Sequence, residues 1–247
     1  MTILLLALAA FFAGLVDSIA GGGGLISLPA LLVAGVPPHV ALGTNKVQSC
    51  LGTAVGAARY LRGGHLHPPT GILSSLGALG GSFLGARLAL AVPGAILSKV
   101  VPFLVLAVGL FTFLRPSFGL DDRFTGAGRP GLAGAFVLGF CVGTYDGFFG
   151  PGTGTFLTFL YVLLFGLGFL RATGNAKLAN LASNVAALTA FALDRQILWP
   201  IALPMAAANI AGNWLGAGLA IRRGASLIKP VFGLVLMGLL VKLVFFP

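Results

Sequence analysis

The sequence contains no glutamate, and all 5 of its acidic residues are aspartate. Only 8% of its residues are charged, about a third of the share usual for a soluble domain. The two cysteines, Cys50 and Cys141, each sit alone in an apolar run. That argues against a disulfide scaffold or a metal pair and fits small-hydrophobe packing. His39, His65 and His67 fall between apolar segments and read as solvated loop residues. A His-x-His pair without carboxylate or cysteine partners is a weak metal signal, so no metal site is expected. No P-loop lysine pattern occurs. The glycines of "GPGTGT" follow no strand and have the wrong spacing for a dinucleotide fingerprint, so no cofactor is implied. Without a Cys/His cluster or a nucleophile–base pair in the apolar segments, no catalytic residues are assigned and an enzyme is disfavoured.

What is abundant is apolar. The chain is 57% hydrophobic, with a mean hydropathy of +1.03. Apolar runs of roughly 15 to 20 residues recur along its length, the mark of membrane-spanning helices. The expectation is an all-α polytopic membrane protein, a single transmembrane domain over residues 1–247 with no soluble module. The net charge is +10, from 15 Lys and Arg against 5 Asp. These cations lie singly between apolar segments. That pattern suits cytoplasmic loops of a membrane protein and not a nucleic-acid-binding face.

The chain is written twice. "AGLVDSIAGGGG" (13–24) aligns with "VGTYDGFFGPGT" (142–153), pairing Gly14 with Gly143, Asp17 with Asp146, Gly21 with Gly150 and Gly23 with Gly152. After a two-residue drift, "GTNKVQSCLGT" (43–53) falls on "GNAKLANLASN" (174–184), with Lys46 on Lys177. "LGALGGSFLGARLA" (76–89) falls on "AAANIAGNWLGAGLA" (206–220), with Gly81 on Gly212 and Gly85 on Gly216. The first segment lacks the basic flank of a signal peptide. As a copy of an internal segment, it is expected to be retained.

Repeat 1 covers about 1–115, a linker about 116–130, and repeat 2 about 131–247. Each repeat reads as five helical segments, with a Gly-rich break between the first two. They lie near 3–20, 25–36, 40–60, 70–91 and 96–114, then near 131–149, 154–168, 172–192, 197–221 and 227–245. Residues 25–36 reach only about 18 Å as a helix, short of the roughly 30 Å hydrocarbon core. An odd segment count predicts that the second repeat is inverted relative to the first. Charge agrees: "RYLRGGHLH" (59–67), "RRGASLIK" (222–229) and the linker are basic, whereas "AVPGAILS" (91–98) is uncharged and "DRQ" (194–196) is neutral. Basic loops belong inside. This is the pattern of inverted-repeat secondary transporters, and it places both termini outside.

The breaks carry the functional signal. Four successive glycines cost about 1 kcal/mol each against alanine in a helix. Unwound chain at membrane depth is tolerated only inside protein or beside a polar cavity. "GGGG" and "GPGTG" are therefore expected breaks, each followed by a short helix whose N-terminal dipole favours an anion. Gly22, Gly23, Gly24, Gly152 and Thr153 are candidates for close backbone approach to that anion. Gly52-x-x-x-Gly56 and Gly77, Gly81 and Gly85 read instead as packing seams, within the protomer or in a homodimer. Asp17 and Asp146 lie deep in apolar segments, where a carboxylate costs about 3 kcal/mol. Three fates fit them: capping the glycine turn, pairing with a lysine, or carrying a proton.

Lys46 and Lys177 follow the short helices. Asn45, Ser49, Gly52, Thr53 and Gly56 share a helix face with Gln48 close by, and Asn180, Ser183, Asn184 and Ala187 repeat it. A polar small-residue face is buried or lines a cavity. Lysine and amide donors beside two helix N-termini describe an oxyanion site. The assigned substrate-binding residues are accordingly Lys46, Lys177, Asn45, Gln48, Asn180 and Asn184 with the five backbone positions above. Asn209, Asn213 and Trp214 are further lining candidates. Inversion would place Lys46 and Lys177 on opposite sides of the midplane.

The stretches "AGLVDSIAGGGGLISLPALL", "GVPPHVALGTNKVQS", "GTYDGFFGPGTGTFL" and "AKLANLASNVAAL" strongly resemble the TauE/SafE family of bacterial membrane proteins, and "RRGASLIKP" fits its C-terminal region. The resemblance covers nearly the whole chain. It implies a cytoplasmic-membrane exporter of sulfur-containing anions, sulfite or organosulfonates such as sulfoacetate. It places family weight on Asp17, Gly21 to Gly24, Asn45, Lys46, Gln48, Asp146, Gly150, Gly152, Lys177, Asn180 and Asn184. The expected function is export of a small oxyanion by alternating access, with an anion channel or an uptake permease as the alternative.

Overall fold

A computed structural model describes residues 2–114, 122, 124, 126 and 128–223. The described residues form nine α-helices: α1 (Thr2–Ala20), α2 (Gly24–Val33), α3 (Pro38–Arg62), α4 (Pro68–Ala91), α5 (Gly94–Leu114), α6 (Arg129–Phe148), α7 (Thr153–Phe165), α8 (Phe169–Leu193) and α9 (Trp199–Arg223). The tenth expected segment, 227–245, lies outside the described residues. Prolines open α3, α4 and α6 in the first turn, where a missing N–H costs nothing. Gly166 ends α7 in the left-handed conformation, a common helix stop. The short second segments are confirmed: α2 has 10 residues and α7 has 13.

Large apolar side chains face outward, while charged and amide side chains are buried among the helices. Leu4, Phe12, Ile72, Leu84, Phe103, Val137, Leu164 and Leu203 are exposed, whereas Lys46, Gln48, Asp146, Asn175, Lys177, Asn209 and Asn213 are buried. That distribution suits lipid as the solvent. Among the described residues, four helices, α1, α4, α6 and α8, are long and apolar enough to cross a membrane. On α3, apolar stretches alternate with a buried polar face.

Glycine seams bring the helices together. On α4, a Cβ added at Gly77, Gly81 or Gly85 would collide with the carbonyls of Phe136, Phe140 or Thr144 on α6. On α9, Gly212 and Gly216 lie in the same way against the carbonyls of Phe11 and Leu15 on α1. Aligned residues thus make aligned contacts, each across to the other half of the chain. Gly52 and Gly56 of α3 face Asn209 and Asn213 of α9. All these seams are occupied within one chain.

The contacts also set helix directions. Thr44, Gly52 and Arg59 of α3 meet Leu198, Asn209 and Gly218 in that order, so α3 and α9 are parallel, and α1 runs with α9. Thr70 and Ser82 of α4 meet Asn175 and Ser183 of α8, so these two are parallel, and α6 runs with α4. Between the sets, Lys46 meets Asn184 while Gly56 meets Lys177, so α3 and α8 are antiparallel. Since α1 and α3 run the same way, α2 returns toward the end where α1 begins. The 63–67 loop, the C-terminus of α9 and the N-terminus of α8 share one end of the bundle. There Arg171 pairs with Asp122 at 2.8 Å, and the His67 ring packs against Phe124 at 4.4 Å, tilted by 59°.

His65 and His67 lie in the loop between α3 and α4, as expected, whereas His39 departs from the loop reading. His39 lies in the first turn of α3, with Nε2 3.0 Å from the Val92 carbonyl and 3.2 Å from the Ala89 carbonyl. His67 flanks α4 and bonds Thr70 at 2.9 Å. His39 thus reaches across to carbonyls at the C-terminal end of α4, while His67 contacts the first turn of the same helix. Burial and the neighbouring Arg171 cation lower the His67 pKa.

Candidate functional site

Both glycine breaks are unwound and packed against each other at the centre of the bundle. Gly21 and Gly150 have φ of +80° and +96°, a backbone conformation that glycine adopts without steric cost. A side chain at Gly21 would strike the backbone of Gly154. The Thr155 hydroxyl donates to the Ala20 carbonyl at 2.6 Å, fastening the start of α7 to the end of α1. The two short helices therefore begin beside one another.

Two ion pairs flank this crossing, each joining the halves. Lys46 of α3 meets Asp146 of α6 at 2.8 Å, with both side chains 3% exposed or less. Lys177 of α8 meets Asp17 of α1 at 2.6 Å. Of the three fates open to the aspartates, pairing with lysine is what the structure holds, and in each case the lysine comes from the other half of the chain. Hydroxyl donors complete the carboxylates. Thr153 reaches Asp146 at 2.7 Å, Ser183 donates to its other oxygen, and Thr53 lies 3.4 Å from Asp17. Buried charge in a low-dielectric interior needs such pairing and hydrogen bonding.

The pairs are not equivalent. Lys177 also donates to the backbone carbonyl of Asp17, so it is tied to the last turn of α1. Lys46 instead donates to the Asn184 side-chain oxygen at 3.2 Å. A small polar cavity of about 20 Å³ (the space open to a water centre) opens beside it. Asp17, Gly24, Asn45, Lys46, Asp146, Asn180 and Asn184 line it, together with Gly21, Ser49, Thr53, Gly150 and Gly154. A water needs roughly 10–15 Å³ by this measure, so the cavity has room for a water and is too small for a four-atom oxyanion.

The other assigned positions lie around the cavity. The Gly22 carbonyl accepts from Leu25 at 3.0 Å, and Gly23 and Gly152 are the N-caps of α2 and α7. Gln48 belongs to an amide chain that runs from the cavity wall into the α3–α9 seam. Ser27 and Gln48 donate to Asn45 at 2.6 and 2.7 Å, Asn209 donates to Gln48 at 3.1 Å, and Asn213 donates to Asn209 at 2.8 Å. Asn209 and Asn213 thus pack the seam. Trp214 is corrected: it is 54% exposed and carries the Arg59 guanidinium 4.7 Å above its ring. Its helix faces α3 through Asn213 and turns Trp214 outward. Ser27, not singled out from the sequence, orients Asn45; its only sequence signal is a hydroxyl in an otherwise apolar short helix.

The fold and buried site define a polytopic membrane protein with a paired-charge centre between the two halves of the chain. The chain belongs to the sulfite exporter TauE/SafE family, whose model matches residues 6–243. It is 40% identical over 235 residues to a probable membrane transporter protein, ORF9, of Sinorhizobium sp., covering 95% of this chain and 89% of that protein. It is 40% identical over 238 residues to a probable membrane transporter protein of Haemophilus influenzae, covering 95% and 91%. The probable membrane transporter protein YfcA of Escherichia coli is 37% identical over 236 residues, covering 96% and 87%. No solved structure matches the chain.

Proposed function

We propose that the protein is a secondary transporter that exports a small sulfur-containing oxyanion, sulfite or an organosulfonate such as sulfoacetate, across the cytoplasmic membrane by alternating access. The observation that carries this reading is the Lys46 ammonium at a polar cavity between two broken helices. Lysine and amide donors suit an oxyanion, and the adjoining N-termini of α2 and α7 add a favourable dipole. The family description and the relatives' names support transport. The sulfur chemistry rests on the family description.

Helix directions support an inverted-repeat carrier. Aligned helices α3 and α8 are antiparallel, and aligned glycines make aligned contacts. In this reading the end carrying Arg59, Arg62, Arg171, Arg222 and Arg223 is cytoplasmic. The breaks at 21–24 and 150–154 act as hinges, since they join short helices to long ones without regular hydrogen bonding. A cavity closed to all but water favours a carrier over an open channel.

Flux of radiolabelled anions into proteoliposomes tests the proposal. Saturable sulfoacetate or sulfite flux with counterflow is the expected result. Single-channel currents would replace the carrier with a pore, and no flux of any oxyanion would overturn the function.

A further inference from the structure

The lysine that faces the cavity already holds an anion, the Asp146 carboxylate. The transported anion must compete with it. Lys46 has one ammonium, and its described acceptors are Asp146 at 2.8 Å and Asn184 at 3.2 Å. An oxyanion that takes this ammonium leaves Asp146 as an unpaired charge among buried groups, which a low-dielectric interior strongly disfavours. A proton from water on the carboxylate removes that cost. Protonated Asp146 keeps a hydrogen-bond role, because an acid O–H can donate where the carboxylate accepted.

The surroundings of Asp146 leave Lys46 as its cationic partner. From α3 comes Lys46, from α8 the Ser183 hydroxyl and from α7 the Thr153 hydroxyl. On α6 itself, the Tyr145 phenol turns away to the Pro151 carbonyl at 2.6 Å. Cys50 sits one turn along α3 from Lys46 and is half-buried, and Asp17 lies across the cavity. The second pair differs. Lys177 grips both the side chain and the carbonyl of Asp17, lies outside the cavity lining, and has Thr53 beside its partner. It reads as a lock on the end of α1.

We propose that the carrier moves its anion together with a proton: the proton boards Asp146 as the anion replaces it on Lys46. This rests on the transport reading above. Charge balances, because the site holds one cation and one anion before and after a monoanion enters. The step makes and breaks only an ion pair and one O–H bond. Transport of a monoanion is then electroneutral, so its direction follows the anion and pH gradients and not the membrane potential.

The test uses wild-type protein in vesicles that contain a pH-sensitive dye, with the potential clamped by potassium and valinomycin. Methanesulfonate, a fully ionised monoanion, is the probe, and sulfoacetate is measured beside it. The expected result is that methanesulfonate entry acidifies the lumen and that its rate does not change with the imposed potential. Asp146→Asn is expected to abolish the acidification, and any remaining flux should then follow the potential. Anion entry in the wild type without acidification, or with a rate set by voltage, overturns the coupling and leaves the transport reading standing. Absence of flux for both anions counts against both.

Discussion

Lys46 and Asp146 lie in different halves of the chain, a hundred residues apart, and meet at 2.8 Å with both side chains buried. Their aligned counterparts, Lys177 and Asp17, meet at 2.6 Å with the halves exchanged. The two halves are therefore held together at their least apolar points.

Removing one partner should be worse than removing both. Lys46→Gln leaves a buried carboxylate unpaired, a loss of about 3–5 kcal/mol. Lys46→Gln/Asp146→Asn leaves neutral amides in the same space and should recover much of that loss. Thermal unfolding of the detergent-solubilised proteins checks the order. A double variant less stable than the single one would contradict it.

The seams should tolerate nothing larger than glycine. Gly81→Leu and Gly212→Leu place a side chain against the carbonyls of Phe140 and Phe11, and each is expected to destabilise by at least about 1–3 kcal/mol. Gly134→Leu enters open space and should change unfolding little. Equal melting of all three variants would refute the seam assignment.

The ends of the bundle can be sided by labelling. With Cys50 and Cys141 replaced by alanine, single cysteines at His65 and Arg222 should react with an impermeant maleimide from the same face. A cysteine at exposed Ala34 should react from the opposite face. Labelling of His65 and Arg222 variants from opposite faces would contradict the helix directions.

Trp214 should not matter for substrate. Trp214→Ala removes the ring beneath Arg59 and should cost about 0.5–1 kcal/mol, the worth of an exposed cation–π contact. Anion affinity should stay unchanged. A marked loss of affinity would return Trp214 to the site.

Much of this was legible in residue order. Glycine runs marked the breaks because no other residue carries the chain through φ of +80° and +96° at no steric cost. Prolines and apolar runs marked helix ends to within a few residues. The polar faces of α3 and α8 were visible because amides at helical spacing have no use against lipid. Which lysine met which aspartate was not legible. Within each half, an aspartate precedes a lysine by a similar distance, so sequence alone does not separate pairing within a half from the exchanged pairing that the structure holds. The inequality of the two lysines was hidden for the same reason: a single backbone carbonyl, that of Asp17, separates the tied lysine from the one facing the cavity. Trp214 was misplaced because it neighbours Asn213 in sequence, yet one residue along a helix turns a side chain by about 100°.

The most direct test is calorimetric binding of sulfite and sulfoacetate to the purified wild type and to Lys46→Gln/Asp146→Asn, which keeps the cavity's shape and net charge. The expected result is saturable binding of at least one anion to the wild type, weakened about tenfold or more in the double variant, the worth of a charged hydrogen bond. Equal affinity in the two proteins would contradict the placing of the anion on Lys46.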